Sequence, residues 1–244
     1  MLKAKFKAFF IHLCGSAALA LCAIALVYGL WYPGLLAKAV GVTEIFLLLL
    51  CVDVVLGPLL TFAVFRTGKK SLRFDLGAII ALQLAAFGYG IWTVAEGRPA
   101  WVVLNIDQFD VIRAHEIDTR EVAQAAPQYR SPSWFGPQWV HAKAPEDSII
   151  RDNIKFEAIF AGLRLTQRPQ YYSTLNFDTQ YFSQAIQPID ALSAHNSPEA
   201  IAKLKAAYPG VEGYIPLYAN AYAMVVLINR KEPSVLRIHD VRPW

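Results

Sequence analysis

An aspartate, Asp53, stands within an apolar run at 45–65 that is long enough to cross a lipid bilayer. An ionisable group at that depth is costly unless it faces protein or water. The run is one of three: windows at about 11–31, 45–65 and 76–95 each carry at most one charge. About 20 residues at ~1.5 Å rise suffice for a hydrocarbon layer of ~30 Å. No comparable run follows Glu96, so the chain divides into a three-span membrane domain, 1–96, and a soluble part, 97–244. The mean hydropathy of +0.34 exceeds what an ordinary soluble core requires, and the excess lies in the first part.

Charge divides the same way. Residues 1–97 carry eight basic and four acidic side chains, the whole of the net charge of +4, while the remainder balances 15 of each. The basic excess therefore reports membrane orientation; the soluble part has no basic stripe with interleaved aromatics, and no nucleic-acid partner is expected. Lys3, Lys5 and Lys7 precede the first span and Arg66, Lys69, Lys70 and Arg73 crowd the link between the second and third, whereas the link between the first and second has only Lys38. By the positive-inside rule the N-terminus and the second link are cytoplasmic, and the C-terminal domain lies beyond a bacterial cytoplasmic (inner) membrane, in a periplasmic space. Phe6, Phe9 and Phe10 at one face, and Trp31, Tyr32, Trp92 and Trp101 at the other, stand where interfacial aromatics belong.

A cleavable signal peptide is the competing reading of the first span. Its apolar run continues about ten residues past Ala18-Leu19-Ala20, which favours an uncleaved anchor. All three cysteines, Cys14, Cys22 and Cys51, lie in spans, so the soluble part must be held by its own core without disulfides.

Small residues recur at four-residue spacing in the spans: Ser16 with Ala20, Ala18 with Cys22, Ala81 with Ala85, Ala86 with Gly90. Such spacing lets helices approach closely, either these three on one another or a partner's helix on them. Near Asp53 stands Gly57-Pro58, where the proline cannot hydrogen-bond back to the carbonyl of Val54 and a kink is expected. Counting along straight helices makes Tyr89 the better depth match for Asp53, with Gln83 about a turn and a half away. Asp53 then has three possible roles: a staple bonded to Tyr89 or Gln83, a docking point for another protein's membrane helix, or a proton relay. A relay normally needs a chain of ionisable groups, and one carboxylate is a poor relay.

In the soluble part, strands are expected at 101–106, 109–112, 138–142, 213–218, 222–229 and 235–241, the last two joined by a turn at 230–234. Helices are expected at 145–160 and 197–208, with shorter helical pieces at 179–186 and 189–193. Strands flanking a helical middle indicate an α+β domain with an antiparallel sheet. The five histidines are scattered, no zinc set, phosphate loop or nucleophile elbow is present, and no cofactor is expected. Asp107 with Asp110, and Glu146 with Asp147, read as turn and helix N-terminal charges rather than catalytic pairs.

Taken together, Tyr32-Pro33, the run Asp53-Val54-Val55-Leu56-Gly57-Pro58-Leu59-Leu60, a Lys69-containing link reaching Asp75-Leu76, then Gln83, Tyr89-Gly90 and Arg98-Pro99 resemble the TfpX/TfpZ family of type IV pilin accessory proteins. The resemblance covers about residues 1–113 well and the rest loosely. It implies a non-catalytic inner-membrane protein that serves a pilin as chaperone or assembly modulator. The partners it implies are a type IV pilin, through membrane helix and periplasmic head, the lipid bilayer, and other pilus-assembly proteins. Asp53, Gly57, Pro58, Gln83, Tyr89, Arg98 and Pro99 are the residues to follow, as docking or structural groups. Two other classes compete: a periplasmic sensor anchored by three helices, and a membrane enzyme acting on lipid-linked substrates. The short cytoplasmic segments and the sparsely charged membrane rim argue against each in turn.

Overall fold

A computed structural model describes residues 2–229, 231, 232 and 236–244. The described residues form two compact units. One contains the segment up to Trp31 and Val42–Gly97; the other contains Tyr32–Gly41 with the described residues from Arg98 to Trp244.

The first unit is helical. Helix α1, Leu2–Leu26, continues through a π-helical turn, Val27–Trp31. After α2 (Leu36–Val40), which belongs to the second unit, the next apolar helix comes in three pieces: α3 (Val42–Cys51), a π-helical turn (Val52–Leu56) and α4 (Gly57–Val64). Helix α5 is Leu72–Glu96. Three helices, Leu2–Trp31, Val42–Val64 and Leu72–Glu96, are long and apolar enough to cross a membrane. The kink expected at Pro58 takes the form of the π-helical turn just before Gly57. Such insertions appear where the i→i−4 ladder is interrupted, and a proline interrupts it. The seam of α1 runs through buried Ser16, Ala20, Ala23 and Val27, so the Ser16 and Ala20 pair does pack inside the bundle. Ala18 with Cys22 and Ala81 with Ala85 face outward. Gly90 is a true close approach, since a Cβ there would sit 2.4 Å from Leu49. At the amino-terminal end of α1, Phe62 of α4 meets Phe6 and Phe9 with ring centroids 5.2 and 6.1 Å away.

The second unit is built on an eight-stranded sheet: β1 (Pro99–Asn105), β2 (Gln108–Arg113), β3 (Gln138–Ala142), β4 (Tyr172–Thr174), β5 (Gln187–Pro188), β6 (Gly213–Tyr218), β7 (Met224–Ile228) and β8 (Arg237–His239). Their order is β4-β3-β1-β2-β6-β7-β8, with β5 pairing β6. The two short stretches of β6 are shared along one edge: Leu217 and Tyr218 pair with β2, Gly213 and Tyr214 with β5. The expected antiparallel sheet is corrected here, because β1 with β3 and β2 with β6 run parallel, making the sheet mixed. The strand expected at 235–241 is ordered as Arg237–His239; Val235 and parts of the 230–234 turn lie outside the described residues.

Both faces of the sheet are covered, which explains why strands such as Met224–Ile228 are buried along their whole length rather than alternately. Val102, Leu104, Val111, Ile215, Leu217, Val226 and Ile228 point to one core, shared with Phe182 and Ala185 of α7 (Gln180–Ala185). Leu36 and Ala39, from the link between the first two spans, complete that core. On the other face Trp101, Val103 and Val140 gather with Tyr129 and Tyr172, while Tyr214, Val225 and Leu227 pack under Ile201 and Leu204 of α8 (Pro198–Ala207). Helix α6, Ser148–Ala161, starts on Asp147, whose carboxylate accepts from the N–H groups of Ile149 and Ile150. The helix expected to begin at Pro145 thus begins three residues later, at Ser148, directly after the residue able to cap it. Ser197 and Thr179 cap α8 and α7 in the same way.

Around α6 an ion network ties the sheet's flank together. Arg120 donates to Asp118 at 2.9 and 2.8 Å and to Glu157 at 2.7 Å, and Arg168 donates to the same Glu157. The bonds from Arg120 hold the Asp118 carboxyl below the usual carboxylate range, and Arg120 with Arg168 does the same to Glu157. A carboxyl whose folded pKa is depressed contributes stability that is present above its unfolded pKa, about 3.9 for Asp and 4.3 for Glu, and lost as pH falls through the folded value. Thermal unfolding of the purified protein should therefore be flat between about pH 7 and 5 and fall below about 4, with D118N/E157Q showing a shallower fall. An equal slope in both proteins would refute this role for the network.

Candidate functional site

The polar residues of the membrane helices converge on one place. Counting with the observed helices, Asp53 lies eleven residues from each end of Val42–Val64, and Gln83 lies eleven residues into Leu72–Glu96. The two are level, and they meet. The Gln83 amide donates from Nε2 to the Asp53 carbonyl oxygen at 3.1 Å and to the carboxylate Oδ1 at 3.2 Å. The main-chain bond follows from the π-helical turn: in that register the donor to the Asp53 carbonyl would be residue 58, and residue 58 is proline, which has no N–H. Gln83 supplies the missing donor. Gly57 makes room for it, since a Cβ on Gly57 would sit 1.8 Å from Gln83 Nε2.

Tyr89, expected by depth to face Asp53, does not; it is 70% exposed, with its ring 6.0 Å from that of Trp92. The expectation counted from the start of the apolar window at Leu76, whereas the helix begins four residues earlier, through the polar turn Leu72 to Asp75. That extra turn raises every depth on α5 by about 6 Å.

Around the Asp53–Gln83 pair is a partly open cavity of about 460 Å³, flanked by α1 and α5. Asp53 and Thr61 form its floor, both buried; Ala8, Ile11, Gly15 and Leu19 come from α1, and Leu76, Ile80 and Leu84 from α5. Ser16, expected only as a small packing residue, and His12, not singled out from the sequence, also line it. His12 Nδ1 and Thr61 Oγ1 are 2.6 Å apart, a second polar contact between helices. The signal for them was present: Ala8, His12, Gly15, Ser16 and Leu19 share one face of α1 at helical spacing. The Oε1 atom of Gln83 is buried and has no hydrogen-bond partner. An unmatched acceptor in an apolar surround costs about 1–3 kcal/mol, and here it stands beside a carboxylate.

Arg98 and Pro99 occupy a different place, in the second unit. Pro99 opens β1 opposite Arg113. Arg98 is buried, its guanidinium stacked 3.9 Å from the ring centre of Trp134. Of the acidic pairs, Asp147 caps α6, while Asp110, expected in a turn, is buried within β2, accepting from Thr166 at 2.8 Å beside Arg164 at 3.3 Å. Among the described residues no group of three His, Cys, Asp or Glu side chains gathers as a metal site.

These features define a membrane-anchored protein with a polar-floored groove among its apolar helices and a mixed-sheet domain after them. The model of the family described as "Fimbrial assembly protein FimB" matches residues 1–34. The fimbrial assembly protein of serogroup E1 from Dichelobacter nodosus is 28% identical over 239 residues, covering 92% of this chain and 90% of that one. The serogroup I protein of the same organism matches to the same extent, and the protein of serogroups C1 and C2 is 34% identical over 117 residues, 89% of its length. The chain belongs to the fimbrial assembly protein family. No solved structure matches it.

Proposed function

We propose that this protein is a non-catalytic accessory of a type IV pilin in the bacterial inner membrane, with its N-terminus cytoplasmic and its mixed-sheet domain periplasmic. In this reading, close to the TfpX/TfpZ resemblance, it acts as a chaperone or assembly modulator that holds one pilin membrane helix. The observation that carries the reading is the groove between α1 and α5, with Asp53 and the unmatched Gln83 acceptor on its floor. A passing lipid tail gives those acceptors nothing, whereas a polypeptide helix bringing a donor to that level satisfies them. The orientation rests on the charge count; that the link Tyr32–Gly41 belongs to the same unit as the C-terminal domain fits two crossings between them, in either orientation.

Three measurements test it. An alkaline phosphatase fused to the C-terminus should be active; an inactive fusion with a bright cytoplasm-only fluorescent fusion would overturn the orientation. Asp53→Asn should reduce surface pili several-fold while leaving the protein's own level near normal, because Asn still accepts from Gln83. Unchanged piliation at unchanged level would remove Asp53 from the function. In a background lacking the native cysteines, Leu84→Cys at the groove wall should crosslink to cysteines in the pilin's membrane helix, and Leu82→Cys, on the exposed face of α5, should not. Equal crosslinking at both positions would place the pilin elsewhere.

A further inference from the structure

Trp134 and Phe135 are large aromatic groups left outside the core, 53% and 82% exposed. They sit on a loop between the 3₁₀ turn Pro127–Tyr129 and β3. The loop is a built one. Ser133 Oγ accepts from the N–H of Phe135 at 3.0 Å, Gly136 takes φ +101°, and the Arg98 guanidinium stacks on Trp134 while its Nε reaches the Ser133 carbonyl at 3.4 Å. Arg98 thus fixes the tip of the loop, and Arg98 is the second residue after Glu96, where the third membrane helix ends.

That connection sets a distance. Two residues of extended chain reach at most ~7 Å, an arginine side chain adds about as much, and the ring lies 3.9 Å beyond it. Trp134 is therefore held within about 18 Å of the membrane exit, whatever the rest of the domain does. The headgroup layer on each side of the hydrocarbon is itself several ångströms thick, and aromatic rings collect there. Tyr32, the first residue after the first span, is buried in the same unit and feels the charges of Arg113 and Arg98; burial outweighs both and raises its phenol pKa.

We propose that the loop tip, Trp134 and Phe135 clamped by Arg98, is an interfacial anchor that inserts into the headgroup layer on the domain's own side of the bilayer. The inference rests on the three helices crossing a membrane and is independent of the pilin reading. A protein partner would not require proximity to the exit; a lipid surface does.

The test needs only the purified full chain and lipid. With Cys14, Cys22 and Cys51 replaced by serine, Phe135→Cys is labelled with a nitroxide and the protein reconstituted into phosphatidylethanolamine–phosphatidylglycerol vesicles. Lys203→Cys, on α8, carries the same label as the aqueous reference. The Phe135 label should be at least several-fold less accessible to a water-soluble nickel chelate, relative to oxygen, than the Lys203 label. Adding Trp134→Ala should move it toward the aqueous value, and Trp134→Phe should restore most of the protection. A Phe135 label as accessible to nickel as that at Lys203 in lipid alone overturns the anchor. Protection that appears only when a pilin is co-reconstituted overturns it as well, in favour of a protein contact.

Discussion

Gly57→Ala should be the most damaging single-methyl substitution in the membrane helices. The added Cβ would lie 1.8 Å from Gln83 Nε2, 2.3 Å from its Cδ and 2.4 Å from its Oε1. Gln83 has little freedom to retreat, since its amide is the donor to both the carbonyl and the carboxylate of Asp53. Overpacking of this kind costs about 1–3 kcal/mol, and pushing the amide aside also strands two acceptors at about 1–3 kcal/mol for a buried group. Gln83→Ala alone costs only the second part. The double variant G57A/Q83A should then be no worse than Q83A, because the new methyl enters space the glutamine has vacated. Unfolding of the four proteins in detergent, with membrane levels in cells, measures the cycle. Additive losses would mean that the two residues do not share one site and that the glycine serves some other purpose.

The same residues show what a sequence can carry. The spans were legible because a run of about 20 apolar residues has few alternatives. Their polar pairing was legible only in part, and the error has a single origin. Hydropathy marks where a helix is apolar, while hydrogen bonding decides where it starts, and Leu72 to Asp75 are helical despite Arg73 and Asp75. Once the first turn is added, Gln83 and Asp53 fall level without further assumption. The bond from Gln83 to a main-chain carbonyl was legible only in part: the proline signals a carbonyl without its donor, but an α-helical register points to Val54, and the π-helical turn shifts it to Asp53. His12 was harder, since a lone histidine near a span's end reads as an interfacial residue until Thr61 is placed against it.

In the second unit the strong strands were legible by composition and their partners were not. Strands β1 and β3 are separated by β2 and then by 24 residues (114–137) without an α-helix, so nothing local signals a parallel pairing. Strands of two or three residues, β4 and β5, are too short to show a period. The least legible feature is the link between the first two spans. It reads as a short connection, yet it supplies Leu36 and Ala39 to the domain core, and the Ala39 carbonyl accepts from the N–H groups of both Ala221 and Tyr222 at 3.0 Å. Its fit shows at Gly41, which takes φ +82° and approaches so closely that a Cβ would lie 2.8 Å from that of Ala221.

Leu36→Asp should consequently unfold the C-terminal domain, although Leu36 is more than sixty residues away from it in sequence. Leu36 is 3% exposed and packs in the same core as Val102, Phe109 and Ile215. Losing its burial costs about 1.5–3 kcal/mol, and an unpaired carboxylate in that position costs several more. The sum approaches the whole stability of a domain, typically about 5–15 kcal/mol. The expected result is rapid proteolysis of the C-terminal domain of the purified protein in detergent, with the membrane helices retained. Leu36→Met, which conserves volume, should be nearly silent, and Leu35→Asp, at a half-buried neighbouring position, should be milder than Leu36→Asp. The same argument forecasts that residues 98–244 expressed alone will bind hydrophobic dye and aggregate, while the fragment joined to residues 32–41 through a flexible linker will fold. A stable isolated fragment would mean that the link rests on the domain without completing it, and that membrane helices and domain fold independently of one another.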